Sequence, residues 1–182
     1  MHQKTSFKYL SILLLLSLAS LLEPQSAIAQ QRKTVKDYFL NLPDNYIRMT
    51  TGGKQMNRSE RSQLLKHGGT IVDINNGYLR TTGDTCFHEL AIFKRAKGSP
   101  LVAINTACTI GDSIAIVDPD RNWKDITTQV FPMQTLETTN ELGMVIKLPR
   151  QGKVITIGED ARSPPRWKIV FKTDRFQARK NF

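Results

Sequence analysis

Histidine and cysteine are scarce in this chain, and their scarcity narrows its chemistry first. Of 182 residues only two are Cys and three are His, and one of those histidines, His2, lies at the extreme N-terminus. Neither His67 nor His88 belongs to an H-E-x-x-H helix, and no serine sits in a G-x-S-x-G elbow. Zinc hydrolysis and triad hydrolysis therefore lose their usual signatures. The paired glycines, Gly52-Gly53 and Gly68-Gly69, fit neither phosphate-loop pattern and read as turns. No cofactor is expected. Two cysteines are too few for a cysteine-framework fold, and the composition also excludes disorder, collagen and a polytopic membrane protein.

Long apolar runs are missing as well. The uncharged, leucine-rich stretch at residues 9–22 is 14 residues long, short of the ~20 that a spanning helix needs. It follows Lys4 and Lys8 and leads to Ala27-Ile28-Ala29, a small-x-small site that a signal peptidase cuts. No cysteine follows the run at a lipoprotein position. The expectation is a signal peptide at residues 1–29 and a single globular domain at residues 30–182, exported to a periplasm or secreted, with no transmembrane span in the mature chain. An uncleaved anchor is the alternative.

Past the leader, Thr34 reads as an N-cap with Asp37 in the first turn. Val35, Tyr38, Phe39 and Leu42 then form one apolar stripe, and Pro43 ends the helix. Asn57 with Glu60 signals a second helix, whose narrow apolar face places it on the surface. From Thr70 the period changes to 2. Turn signals at Asn76-Gly77, Lys97-Gly98, Pro119 to Asn122 and Pro149 to Gly152 mark four hairpins, and residues 167–173 make a last strand. The first hairpin is expected to pair Ile74 with Leu79 and Val72 with Thr81. The second arm of the third hairpin is expected at residues 123–131.

The fold class expected is α+β, mainly antiparallel β. About nine strands would form a meander of hairpins, a sandwich or partly open barrel, with two short N-terminal helices. The core would draw on Val35, Tyr38, Phe39, Leu42, Val72, Ile74, Leu79, Leu90, Ile92, Val102, Ile104, Ile114, Ile116, Val145, Ile155, Ile157, Ile169 and Phe171.

Hairpin arithmetic tests whether the thiols meet. A turn at Lys97-Gly98 pairs residues whose numbers sum to about 194 or 195, and Cys86 with Cys108 satisfies it. A structural disulfide is expected there; a redox pair would lack C-x-x-C spacing. His67 is expected to cap a helix C-terminus. His88 alternates with Leu90 and Ile92, while Glu89 points to the other face.

Acids are outnumbered, 16 against 26 Lys and Arg. Between residues 162 and 180 stand seven cations, Arg162, Arg166, Lys168, Lys172, Arg175, Arg179 and Lys180, against Asp174 alone. Arg58, Arg61 and Lys66 would add to them if the second helix lies near. Such a face attracts polyanions: an acidic glycan, anionic lipid head groups, nucleic acid or an acidic protein. The competing explanation is that cations on a terminal strand block edge-to-edge aggregation.

Three functional readings follow. The leading one is an exported, soluble, non-catalytic binding or accessory module, with Arg166, Lys168, Lys172 and Arg175 as anion contacts. The second is a cell-envelope hydrolase or lyase, with Asp84, His88 and Asp112 gathered at the open end of the cysteine hairpin. The third is an inhibitor of a secreted enzyme, presenting the loop at residues 82–85. Asp118, Asp120 and Asn122 open like a calcium loop, but the sixth position is Trp123 and the twelfth Gln129, so a plain turn is the stronger expectation.

Overall fold

The computed structural model describes residues 33–47, 55–82, 86–109, 111–133, 145–160 and 162–180. The leader and the loop residues 83–85, with Asp84 among them, lie outside the described residues. Two helices come first. In α1 (Val35–Asn41) the Thr34 side chain accepts the Asp37 N–H while the Asp37 carboxylate accepts the Thr34 N–H. In α2 (Arg58–Leu64), Asn57 and Glu60 form the same reciprocal pair. Each satisfies donors that a helix start leaves orphaned.

Ten antiparallel strands follow in two sheets, sandwich-like rather than a closed barrel. The first runs in chain order, β1 (Ile71–Asp73), β2 (Tyr78–Arg80), β3 (Cys86–Phe93), β4 (Leu101–Cys108), β5 (Gly111–Asp118) and β6 (Lys124–Asp125). The second has the order β10-β9-β8-β7, from β7 (Val145–Lys147), β8 (Val154–Gly158), β9 (Trp167–Lys172) and β10 (Arg175–Lys180). A one-turn helix, α3 (Thr127–Val130), follows β6.

The six-stranded sheet is covered on both faces. Leu79, Leu90, Val102, Ile104 and Val117 pack under Val35, Tyr38 and Phe39 of α1. Tyr78, Ala91, Phe93, Leu101, Ala103 and Ile116 meet Ile155, Ile157, Ile169, Phe171 and Phe176 of the second sheet. This explains why β3 and β4 are buried almost throughout instead of alternating. The outer face of the four-stranded sheet, in contrast, carries a row of exposed side chains.

Several sequence expectations need correction. The first hairpin pairs Val72 with Leu79 and Asp73 with Tyr78, two positions away from the expected register. Its loop has four residues, with Asp73 accepting the Asn76 N–H at 3.2 Å, and Ile74 is 53 % exposed instead of in the core. The third hairpin has only a two-residue second arm. There Asp125 accepts the Thr127 N–H at 2.8 Å, which starts α3 where a β-branched run suggested strand. Strand β10 was not anticipated at all. The Leu64 carbonyl is capped by the Thr70 hydroxyl at 2.8 Å, a role expected of His67.

The β9–β10 turn explains why that last strand was hidden. Thr173 and Asp174 take φ of 50° and 61°, the two left-handed positions that a type I′ loop demands and that Asn-Gly usually fills. Thr173→Asn with Asp174→Gly is expected to raise stability by about 1 kcal/mol, the relieved strain less the extra chain entropy of glycine. Urea unfolding would show a higher midpoint; an unchanged or lower one contradicts this account of the turn.

Candidate functional site: a basic outer sheet face

Of the catalytic candidates, the two among the described residues, His88 and Asp112, do not converge. His88 pairs with Thr106 and hence with Ser113, whereas Asp112 pairs with Ala107 and hence with Phe87. Directly paired residues share a face and successive residues alternate, so His88 and Asp112 stand on opposite faces of the six-stranded sheet. His88 is buried on the helix side, its Nδ1 within 3.0 Å of the Thr106 hydroxyl.

Asp112 belongs instead to a polar clasp between the sheets. Strand β7 is an edge, so the groups of Ile146 and Leu148 turned away from β8 need partners. Asp112 accepts the Ile146 N–H at 2.7 Å, the Asn105 amide donates to the Ile146 carbonyl at 2.8 Å, and Glu89 accepts the Leu148 N–H at 3.1 Å. Glu89 also accepts the Tyr78 hydroxyl at 2.7 Å. Glu89 and Asn105 are 5 % and 0 % exposed, so these polar groups serve as glue for an edge strand.

Burial raises the Asp112 carboxyl above the ordinary carboxylate range, opposed by its hydrogen bonds to Ile146 and Asn105, with Glu89 pushing it further up. The native state therefore holds this proton more tightly than the unfolded chain, and this group's contribution to stability declines as pH rises through that window. Asp112→Asn keeps an acceptor for the Ile146 N–H and removes the charge. Thermal unfolding between pH 4 and 8 is expected to show the Asn variant at least as stable as wild type at the upper end. Asp112→Ala, which leaves a buried donor unmade, should lose about 1–3 kcal/mol. An Asn variant that becomes progressively less stable than wild type toward pH 8 would refute this.

The calcium-like turn is already filled by a cation of the protein's own. Arg95 donates to both Asp118 oxygens at 2.9 Å and to Asp120 at 3.0 Å, and Asp120 accepts the Ser99 N–H at 2.7 Å. Asn122 takes the left-handed position that closes the turn. Among the described residues no cluster of three or more His, Cys, Asp or Glu side chains is placed to hold a metal ion.

What the fold does assemble is a cationic face. Register pairs Lys172 with Arg175, Val170 with Gln177 and Lys168 with Arg179. It continues from Lys168 to Thr156 and on to Lys147, and from Val170 to Val154. All of these stand on the outer side, opposite the buried Ile155, Ile157, Ile169, Phe171 and Phe176. Arg179, Lys168, Thr156 and Lys147 therefore form a row across four strands, roughly 14 Å long at ~4.8 Å per strand. Lys172 and Arg175 lie on the far side of a neutral row of Gln177, Val170 and Val154, about 13 Å away. No carboxylate stands on this face of the four strands.

Of the expected contacts, Lys168, Lys172 and Arg175 are on this face, and Arg166 lies just before β9, in an ion pair with Glu159. Arg179 and Lys147 join the face; they were missed as contacts because β10 was not read as a strand and β7 could not be placed beside it. Arg61 is buried and α2 lies on the opposite side of the six-stranded sheet, so the second helix does not extend the patch. Cys86 and Cys108 face each other in the β3–β4 register and are bonded, with Cα atoms 4.2 Å apart. Among the described residues no helix is long and apolar enough to cross a membrane. The chain matches no family model, no curated protein and no solved structure.

Proposed function

We propose that the protein is an exported, non-catalytic binding or accessory module whose outer basic face engages an acidic partner. One observation carries the reading. Lys172 with Arg175, and Lys168 with Arg179, are like charges directly opposite each other on an exposed surface, an arrangement that costs stability in the free protein. A bound polyanion would turn both repulsions into attraction. Protection of a sheet edge accounts for cations on the two edge strands, β10 and β7, but not for Lys168 and Lys172 on β9, which is paired on both sides. Export rests on the N-terminal pattern and accords with a disulfide, which oxidising compartments favour.

The test is binding to long-chain inorganic polyphosphate as a model polyanion. With about five contacts at the charge density of a single strand, affinity should fall on the order of a hundredfold between 50 and 200 mM salt. The quadruple variant Lys168→Gln, Lys172→Gln, Arg175→Gln, Arg179→Gln should lose most of the affinity and most of the salt slope while folding normally, since all four side chains are exposed. Salt-insensitive binding, or full affinity in the quadruple variant, would overturn the proposal.

A further inference from the structure

We propose that the acidic partner is a lipid bilayer with anionic head groups, an inference that rests on the basic face being the binding surface. Three features of that face favour a membrane over a linear polyanion. Its cations are spread in two dimensions over three of the four strands, β7, β9 and β10, and are not confined to one groove. Its centre is aliphatic: Val154 is 37 % exposed, one of three large hydrophobic side chains exposed among the described residues, and it is paired with Val170. Finally, the face has no aromatic ring, because Trp167, Phe171 and Phe176 have the parity of the buried Ile169. Single-stranded nucleic acids are gripped by stacking bases on aromatic side chains, and here there is no platform for them.

A bilayer uses what is present. Head-group phosphates meet the two cation rows, while the long Lys and Arg stems and the two valines rest at the boundary between head groups and acyl chains. Near an anionic surface each Lys or Arg strengthens binding about fivefold. Neutralising four of them should therefore weaken it by two to three orders of magnitude.

The experiment uses sedimentation with vesicles of phosphatidylglycerol and phosphatidylcholine in equal parts, and with phosphatidylcholine alone. Polyphosphate binding is measured in parallel. The protein is expected to sediment with the anionic vesicles and at least tenfold less with the neutral ones. Val154→Trp places an environment-sensitive ring at the centre of the face. Its added emission should shift to the blue on anionic vesicles and stay at the position typical of water on polyphosphate. Binding to polyphosphate without binding to vesicles, or vesicle binding with no blue shift, would overturn the lipid assignment and leave the basic-face reading standing. Binding to neither would overturn both.

Discussion

Replacing Arg61 with leucine is expected to cost about 3–5 kcal/mol, the sum of about 1–3 kcal/mol for each of two buried carbonyls left without these donors and the largest loss from any single substitution considered for this protein. Helix α1 is stopped by Pro43, so its last carbonyls have no partner within the helix. Arg61, from α2, supplies one. Its guanidinium donates to the Leu42 carbonyl at 2.8 Å, to the Leu40 carbonyl at 3.4 Å, to the Met56 carbonyl, and to the Asp44 carboxylate at 2.8 Å. The side chain is 2 % exposed, and a positive charge at a helix C-terminus also meets the negative end of the dipole. One planar fork thus joins the end of α1, the turn after it and the residue before the α2 cap.

Leucine would fill part of the space and leave the buried Leu42 and Met56 carbonyls without these donors, while the half-exposed Asp44 carboxylate turns to water. Lysine, a point charge on a flexible stem, cannot reproduce the fork and should recover only a minor part of the loss. Urea unfolding gives the magnitude. Hydrogen exchange gives the location, with amides of α1 and α2 losing protection before those of β3 and β4. A leucine variant within 1 kcal/mol of wild type would show that the fork is not what holds the helical layer.

Opening the Cys86–Cys108 bridge is expected to cost about 3 kcal/mol by the chain-entropy relation, given a sequence separation of 22. The bridge closes the open end of the β3–β4 ribbon, three residues from both Glu89 and Asn105. Its loss should therefore loosen the clasp that holds β7 as well as widen the unfolded ensemble. The urea midpoint with and without reductant measures the effect, with a Cys86→Ala, Cys108→Ala variant as a control for side reactions. Equal midpoints in the oxidised and reduced protein would contradict a stabilising role. For a domain whose total stability is of order 5–15 kcal/mol, either change takes a large share.

Local chemistry made parts of this fold legible in the sequence. Thr34 with Asp37, and Asn57 with Glu60, announce helix starts because a short oxygen-bearing side chain and an acid three residues on satisfy each other's backbone. The cysteine pairing was legible because the Lys97-Gly98 turn signal lies at the centre of a long ribbon whose partners sum to 194, and everything else is addition. What stayed hidden depended on partners distant in sequence or on residues in uncommon conformations. Thr173 and Asp174 are in a region they rarely visit, so nothing announced the turn into β10. Arg61 looked like surface because its four acceptors are set by α1 and the chain beyond it. The double burial of β3 and β4 could not be read from Leu90, Ile92 and Ile104 alone. Ala91, Phe93 and Ala103 mark the second face only once a second sheet lies over it.

For the candidate site, seven cations were visible as a cluster in sequence, but a cluster is not a surface. The register of β9 with β10 turns Lys168, Lys172, Arg175 and Arg179 into two opposed pairs, and the order of β8 and β7 brings Lys147 into line. Asp112 and His88, close along the ribbon, were separated by the alternation of the strands.

The central claim is that the outer face of the four-stranded sheet is where an acidic partner lands. Amide chemical shifts followed during titration with polyphosphate test it most directly. The largest changes are expected on residues of β9 and β10 and on Lys147, with α1, α2 and the clasp at Glu89 nearly unmoved. Changes centred on the helical layer, or on Asp112 and its neighbours, would contradict it.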